Sequence, residues 1–312
     1  MQFPFSILVE NDFDAVGFGT NAVDYLIRVP EYPAFASKIE LREYSIQAGG
    51  EVASSMLGLS RLGMKTAYIG RFGDDGAGEI GLNSLAAEGV DIASSEVVPG
   101  ALTQIAFIVI DEKSGERTVI WQRDTKLSYS AAEAPLSAAK QGRVLHLTPH
   151  DTDACIAMAE AAREAGVIVS ADVDNIFKGI EDLLPLVDVC IVSAEFPSKL
   201  FGTMENDQAL RELSSRFGCP ITGLTLGDAG SLLFCGGELI RTPGFEVPGG
   251  CADTTGAGDA FRTGFLFGML SGRSVEESAA AANGVAALNC RGVGARTTLP
   301  TLSELDQLLR QT

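Results

Sequence analysis

The residues best able to do chemistry lie in one stretch, Asp253-Thr254-Thr255-Gly256-Ala257-Gly258-Asp259, which runs into the apolar segment 260–270. Glycines permit a sharp turn, the apolar run predicts a helix, and Asp259 stands where one becomes the other. The first turn of a helix has backbone N–H groups without intrahelical partners, and the helix dipole adds partial positive charge there. The amides of Gly256, Ala257 and Gly258 can therefore converge on phosphate oxygens, because residues this small let a ligand approach the backbone closely. A carboxylate beside such a cradle is badly placed to greet a phosphate. Asp259 suits a base that takes the proton from an attacking hydroxyl; a plain helix cap is the competing reading, and the second acid at Asp253 weakens it.

Bulk properties narrow the class. With 41 acidic against 23 basic residues and a formal charge of −18, the chain is poorly suited to nucleic acid or an anionic membrane. ATP is still compatible, because it needs local amides, a few cations and Mg²⁺ at the site. At 312 residues, with 46% hydrophobic residues and 35 glycines, the chain can form one large α/β domain or a domain with a small appendage, and a single domain spanning 1–312 is expected. Six scattered cysteines without a CxxC pair, no N-terminal signal pattern and no apolar run of membrane-spanning length together predict a cytoplasmic protein with reduced thiols.

The elements that must position the motif follow from periodicity. Residues 14–19 read as a buried strand. Gly17-Phe18-Gly19-Thr20-Asn21-Ala22 also fits the G-x-G-x-x-A dinucleotide fingerprint, which requires a helix next. Val23, Tyr25, Ile27 and Val29 alternate instead, and Pro30 and Pro33 follow, so a further extended segment is expected and a dehydrogenase is disfavoured. Residues 38–45 read as more strand, 48–62 as a glycine turn into a helix, and 66–73 as one strand followed by a turn and helix. Residues 103–110 and 117–122 around a polar connector form a hairpin pattern. A hairpin between βα units does not belong in a parallel core, so it should join the earlier extended segments as a lid, built from about 20–47 and 102–124. Such a lid would exclude water from the site, and its edges would be protected by a second copy in a homodimer. His146 and His150 read as structural, because Pro149 denies them a shared helix face. Beyond them strands at 143–148, 167–172, 187–193, 221–225 and 231–235, helices near 154–165 and 275–288, and a closing amphipathic helix near 302–309 predict a mainly parallel sheet covered on both faces. No lysine follows a glycine, so a GxxxxGK[ST] loop is absent.

The run DTTGAGDAF at 253–261 resembles the C-terminal signature of the ribokinase-like (PfkB) carbohydrate kinases. The resemblance extends over essentially the whole chain. It implies a three-layer α/β/α sandwich with a small β-sheet lid and ATP-dependent phosphorylation of a sugar hydroxymethyl group, with Asp259 as catalytic base and the 256–258 amides as anion hole. Asp24 matches the acid that binds sugar hydroxyls, and Gly49 and Gly50 match the family's GG turn, where the usual Asn four positions on is Ser54. Ser193-Ala194-Glu195 matches imperfectly, with Ser in place of Asn and the carboxylate one position early, the N-x-x-E element near Mg²⁺ and the phosphates. Thr225, Gly227 and Gly230 match a T-x-G-x-x-G nucleotide turn, and Asn283 a position bordering adenine. Asp253 and Thr255, with the loop of Gly292, Gly294 and Ala295, resemble a monovalent-cation (K⁺) site. Asp172-Val173-Asp174-Asn175 and the segment 114–118 are closer to the ketohexokinase branch than to ribokinase itself. Implied partners are a small sugar and Mg·ATP. A nucleoside kinase of the same fold and a non-catalytic sugar-binding or scaffold member stay open as alternatives.

Overall fold

The structure is a computed structural model and describes residues 1–310. Its strands are β1 (Phe13–Phe18), β2 (Ala22–Val29), β3 (Glu43–Gly49), β4 (Thr66–Ile69), β5 (Arg71–Gly73), β6 (Glu96–Val98) and β7 (Ile105–Asp111). They continue as β8 (Arg117–Gln122), β9 (Gly142–Leu147), β10 (Ile168–Val173), β11 (Val189–Ser193), β12 (Ile221–Thr225), β13 (Ser231–Cys235) and β14 (Glu238–Thr242).

Aliphatic runs buried on both sides make the central sheet, whose order is β14-β13-β12-β11-β10-β9-β1-β4. From β4 to β12 all neighbours are parallel, while β13 and β14 close one edge antiparallel. Alternate residues feed two cores. Ala15 and Val144 point to one face, against the helices Glu51–Arg61, Ala257–Leu270 and Val275–Asn289. Val16 and Leu145 point to the other, against the helices Thr152–Glu164 and Asn206–Phe217. The expected α/β/α sandwich is therefore present, its sheet mainly parallel as the alternation of elements predicts.

The lid is a second sheet of order β3-β2-β7-β8. Direct register places Gln47, Asp24, Ala106 and Trp121 in one row across it, and Ile46, Tyr25, Phe107 and Ile120 in the adjacent row on the opposite face. Leu26, Ala106, Ile108 and Ile110 on the inner face bury a small core of their own with Val293. Two local expectations are corrected. The lid strand expected at 38–45 runs from Glu43 to Gly49, because register with β2 starts only at Glu43. The single strand expected over 66–73 breaks at Gly70, over which the Tyr68 side chain folds to donate a hydrogen bond to Gly19 O at 2.7 Å. Beyond the break, β5 pairs with the short β6 instead of continuing the central sheet. Among the described residues no helix is long and apolar enough to cross a membrane.

Candidate functional site

The site is assembled at the carboxyl ends of the central strands, where open α/β sheets leave a crevice. The signature turn forms first. Asp253 is fully buried, and its Oδ1 accepts from Thr255 N (2.9 Å) and Thr255 Oγ1 (2.7 Å), while Oδ2 accepts from Gly294 N (2.8 Å). Asn289 Nδ2 donates to Thr255 O at 3.1 Å, which ties the turn to the neighbouring helix. Gly256 caps the helix Ala257–Leu270 at φ 73°, and a side chain there would meet Ala295 Cα at 2.7 Å, so only glycine fits. Ala257 N donates to Thr254 O at 3.1 Å, whereas no hydrogen bond to the Gly256 or Gly258 amide is found among the described residues. The expected three-amide hole thus has two uncommitted donors and one shared with the turn.

Asp259 lies in the first helical turn beside this hole. Burial raises its pKa, and Arg262, Arg117 and Arg296 work in the opposite direction. Arg262, one turn on, lies beneath it: its Nη2 pairs with Asp172 Oδ1 at 2.5 Å and donates to Ile191 O at 3.1 Å. Its Nη1 packs 2.7 Å from where a Gly258 side chain would begin, so a guanidinium backs the amide hole. Burial raises the pKa of Asp172, Arg262 lowers it, and the nearby charge of Asp259 adds to the rise. Burial and the three arginines thus act on the Asp259 carboxylate in opposite directions.

The acceptor side is built from the lid and the helix Glu51–Arg61. Asp24 is 5% exposed, accepts no hydrogen bond among the described residues, and has its pKa raised to about 7, chiefly by burial. Gly49 leaves the space its carboxylate fills, and Gly50, at φ 93°, packs directly on Asn21. Ser54 is buried against Arg296, whose Nε donates to Ser54 Oγ (3.0 Å), Nη1 to Ser84 Oγ (3.1 Å) and Nη2 to Gly49 O. The departure from the expected Asn thus has a physical reason: a shorter side chain there holds a buried arginine. Arg296 in turn lowers the pKa of Asp24 and of Asp259, and its own is pushed down by burial to about 10. Arg117 of β8 donates to Thr254 Oγ1 at 2.8 Å, joining lid to signature. Glu51 receives Thr20 Oγ1 at 2.9 Å, and burial raises its pKa, with the charges of Asp172, Asp174 and Asp259 adding to the shift.

The nucleotide-side residues collect farther along the sheet edge. Ser193 and Thr225 are register partners at the ends of β11 and β12. Gly227 opens the short helix Gly227–Ala229, and Gly230, at φ 91°, packs against Thr242 O. Asn283 is 5% exposed, and its Nδ2 donates to Ser231 Oγ, Thr242 O and Pro243 O at 3.1–3.2 Å, so it secures the strands behind the turn. Glu195 is exposed at the start of the helix Phe196–Phe201, 3.9 Å from Lys199. The structure brings Asp24, Gly49, Gly50, Ser54 and Asp259 into one neighbourhood around Arg296; Glu195 is exposed on solvent, and Asn283 lies behind the nucleotide turn.

Arg262, Arg296, Arg117 and Glu51 carried no role in the sequence reading. For Glu51 the position directly after the GG turn was a usable signal. For the arginines none existed, since Arg296 reaches Gly49 across the whole chain and only packing reveals it.

Comparison with known proteins places the chain among its relatives. A family model described as pfkB family carbohydrate kinase matches residues 16–302. A nucleoside kinase from Methanothermobacter thermautotrophicus is 27% identical over 95% of both chains. A fructokinase from Escherichia coli is 30% identical, covering 83% of this chain and 90% of its own. A solved ribokinase from Arabidopsis thaliana, complexed with ribose and ATP, superimposes with a TM-score of 0.82 at 24% identity, covering 96% of this chain and 99% of its own. The signature turn at 253–259, the second sheet carrying Asp24 and a match over nearly the full length leave one conclusion: the chain belongs to the pfkB family of carbohydrate kinases.

Proposed function

We propose that the chain transfers the γ-phosphoryl group of Mg·ATP to the hydroxymethyl oxygen of a furanose-like sugar. The observation that carries this reading is the convergence of Asp24, the Gly49–Gly50 turn and Asp259 on one hollow, from three elements far apart in sequence. Asp24 accepts from the sugar's hydroxyls, which a carboxylate can do for two neighbours at once. Asp259 takes the proton of the attacking hydroxyl, while the Gly256 and Gly258 amides, backed by Arg262, face the charge on the transferred group. The lid supplies Arg117 and keeps water away.

ATP would lie along Thr225, Gly227 and Gly230. Mg²⁺ neutralises the phosphates when bound, and the exposed Glu195 carboxylate with Ser193 offers the hard oxygen donors that suit its water shell. A K⁺ ion at Asp253 and Thr255 would have to share the lone pairs that now receive Thr255 and Gly294. The buried free thiols, all but the exposed Cys251, fit the expected cytoplasmic setting. The lid's outer face exposes Tyr44 (51%), Ile46 (44%), Phe107 (42%) and Ile120 (59%), an apolar surface that supports homodimer formation through the lid; sedimentation equilibrium showing only monomer would remove that reading.

The direct test is ADP release with a panel of D-ribose, D-fructose, adenosine and cytidine, for the parent protein and Asp259→Asn. Turnover in the parent and a kcat lowered about 10³-fold in the variant are expected. Equal turnover would remove Asp259 from the role of base, and binding without turnover in the parent would favour a non-catalytic member.

A further inference from the structure

The lid strand β8 crosses the hollow with a different chemistry at each end. Arg117, Val119 and Trp121 share its inner face, because Trp121 pairs with Ala106 and Ala106 with Asp24. Arg117 at one end is bonded to Thr254 of the signature turn. Trp121 at the other is 56% exposed and stands edge-on to His150, with ring centroids 5.9 Å apart. His150 in turn packs on Phe177 at 4.8 Å. Four residues of strand put these ends about 13 Å apart. A lone furanose ring with its hydroxymethyl group at Asp259 does not reach that far.

The aromatic end also has unused polar atoms. His150 Nδ1 is buried without a hydrogen bond, its nearest acid being Glu51 Oε2 at 3.9 Å, and burial lowers the imidazole's pKa so that it is neutral at pH 7. Gln104 precedes β7 on the same inner face, in the row next to Trp121, and its Oε1 is buried without a donor. A small polar cavity of about 10 Å³ lies behind, lined by Asn21, Gln104 and Arg123, with Asn21 Oδ1 likewise unpaired. An exposed indole on an inner face, flanked by unpaired acceptors and a neutral imidazole, is a surface for a flat heteroaromatic ring with N–H groups at its edge.

Resting on the kinase reading above, we infer that the acceptor is a nucleoside: its ribose held by Asp24 with the hydroxymethyl group at Asp259, and its base stacked on Trp121 with its edge toward His150 and Gln104. The nucleotide turn at Thr225 to Gly230 lies toward the other edge of the central sheet, four strands from β1, so this base slot is separate from the one for ATP.

Trp121 is the chain's single tryptophan, so its fluorescence reports the slot directly. Adenosine and cytidine, added without ATP, should quench it saturably; D-ribose and D-fructose should not. With Mg·ATP, the KM for one of the nucleosides should lie at least tenfold below that for D-ribose. Trp121→Ala should raise the nucleoside KM about 10- to 100-fold and leave D-ribose kinetics within twofold, with Trp121→Phe restoring most of the loss. Because Trp121 is on an exposed position, the variants retain the fold, which an unchanged D-ribose rate or melting temperature would verify. Absence of quenching by either nucleoside overturns the inference, as does D-ribose or D-fructose turnover equal to that of nucleosides and indifferent to Trp121→Ala. Quenching without ADP release from any acceptor would instead uphold the slot and sink the kinase reading.

Discussion

Two buried arginines underlie the two halves of the site, and they are paired in opposite ways. Arg262, beneath Asp259, has a carboxylate partner in Asp172 at 2.5 Å and a backbone carbonyl besides. Arg296, beside Asp24, bonds only neutral groups, and no carboxylate lies within 4.0 Å of it among the described residues. A guanidinium has five N–H donors, so the three bonds of Arg296 leave two unused, while Asp24 opposite has acceptor sites unused. Arg262 thus has its ionic partner within the fold, whereas Arg296 and Asp24 both keep hydrogen-bonding capacity that the fold does not use.

That contrast can be broken at its strong half first. Arg262→Met leaves Asp172 buried without its partner, and loss of about 3–5 kcal/mol of stability is expected in chemical denaturation. The same variant should lower kcat while leaving the KM of the acceptor nearly unchanged. A stable Arg262→Met with parental kcat would show that the pair is not what supports Asp259.

The weak half is sharpened by pH. Asp24 has a folded pKa of about 7 against an ordinary 3.8, so its ionised, hydroxyl-accepting form is populated only as pH rises through 7. The acceptor's KM should therefore rise about tenfold per pH unit below that point and level off above it. Removing the charge with Arg296→Gln should move this midpoint upward, since Arg296 is the largest influence lowering the Asp24 pKa. The sign for stability is opposite to that for binding. Between pH 3.8 and about 7 the folded state holds a proton that the unfolded state has released, so the contribution of Asp24 to stability is greatest in acid and is lost as pH rises through that window. Asp24→Asn should remove this slope from a series of melting curves; an unchanged slope would show that Asp24 is not protonated in the fold.

The smallest effect tests the serine itself. Ser54→Ala deletes one hydrogen bond from the charged guanidinium of Arg296, and about 1.5–3 kcal/mol of stability should be lost with less than a threefold change in kcat. If Ser54→Ala instead abolished acceptor binding, Ser54 would be contacting the acceptor and not the arginine behind it.

Much of the fold could be read before any coordinates, because its information is local. The alternation at 22–29, the hairpin at 105–122 and the apolar runs of β9 to β12 each carry their period within a few residues. The mis-set start of β3 and the break at Gly70 came from contacts with β2 and Gly19, which no local period encodes. The histidines show the same limit. His146 is buried and bonded to Ser170, as a structural reading requires, yet His150, read the same way, ends beside Trp121 on the face of the hollow.

By itself, then, the sequence determined the helix start just before Asp259, the glycine positions around it and the lid's two hairpin-forming segments, since turn geometry and period are properties of neighbouring residues. Tertiary structure decided which charges meet. Arg296 beside Asp24, Arg262 on Asp172 and Trp121 across from His150 join residues from different elements, beyond the reach of any local period, and a burial-driven pKa exists only once packing has removed the water.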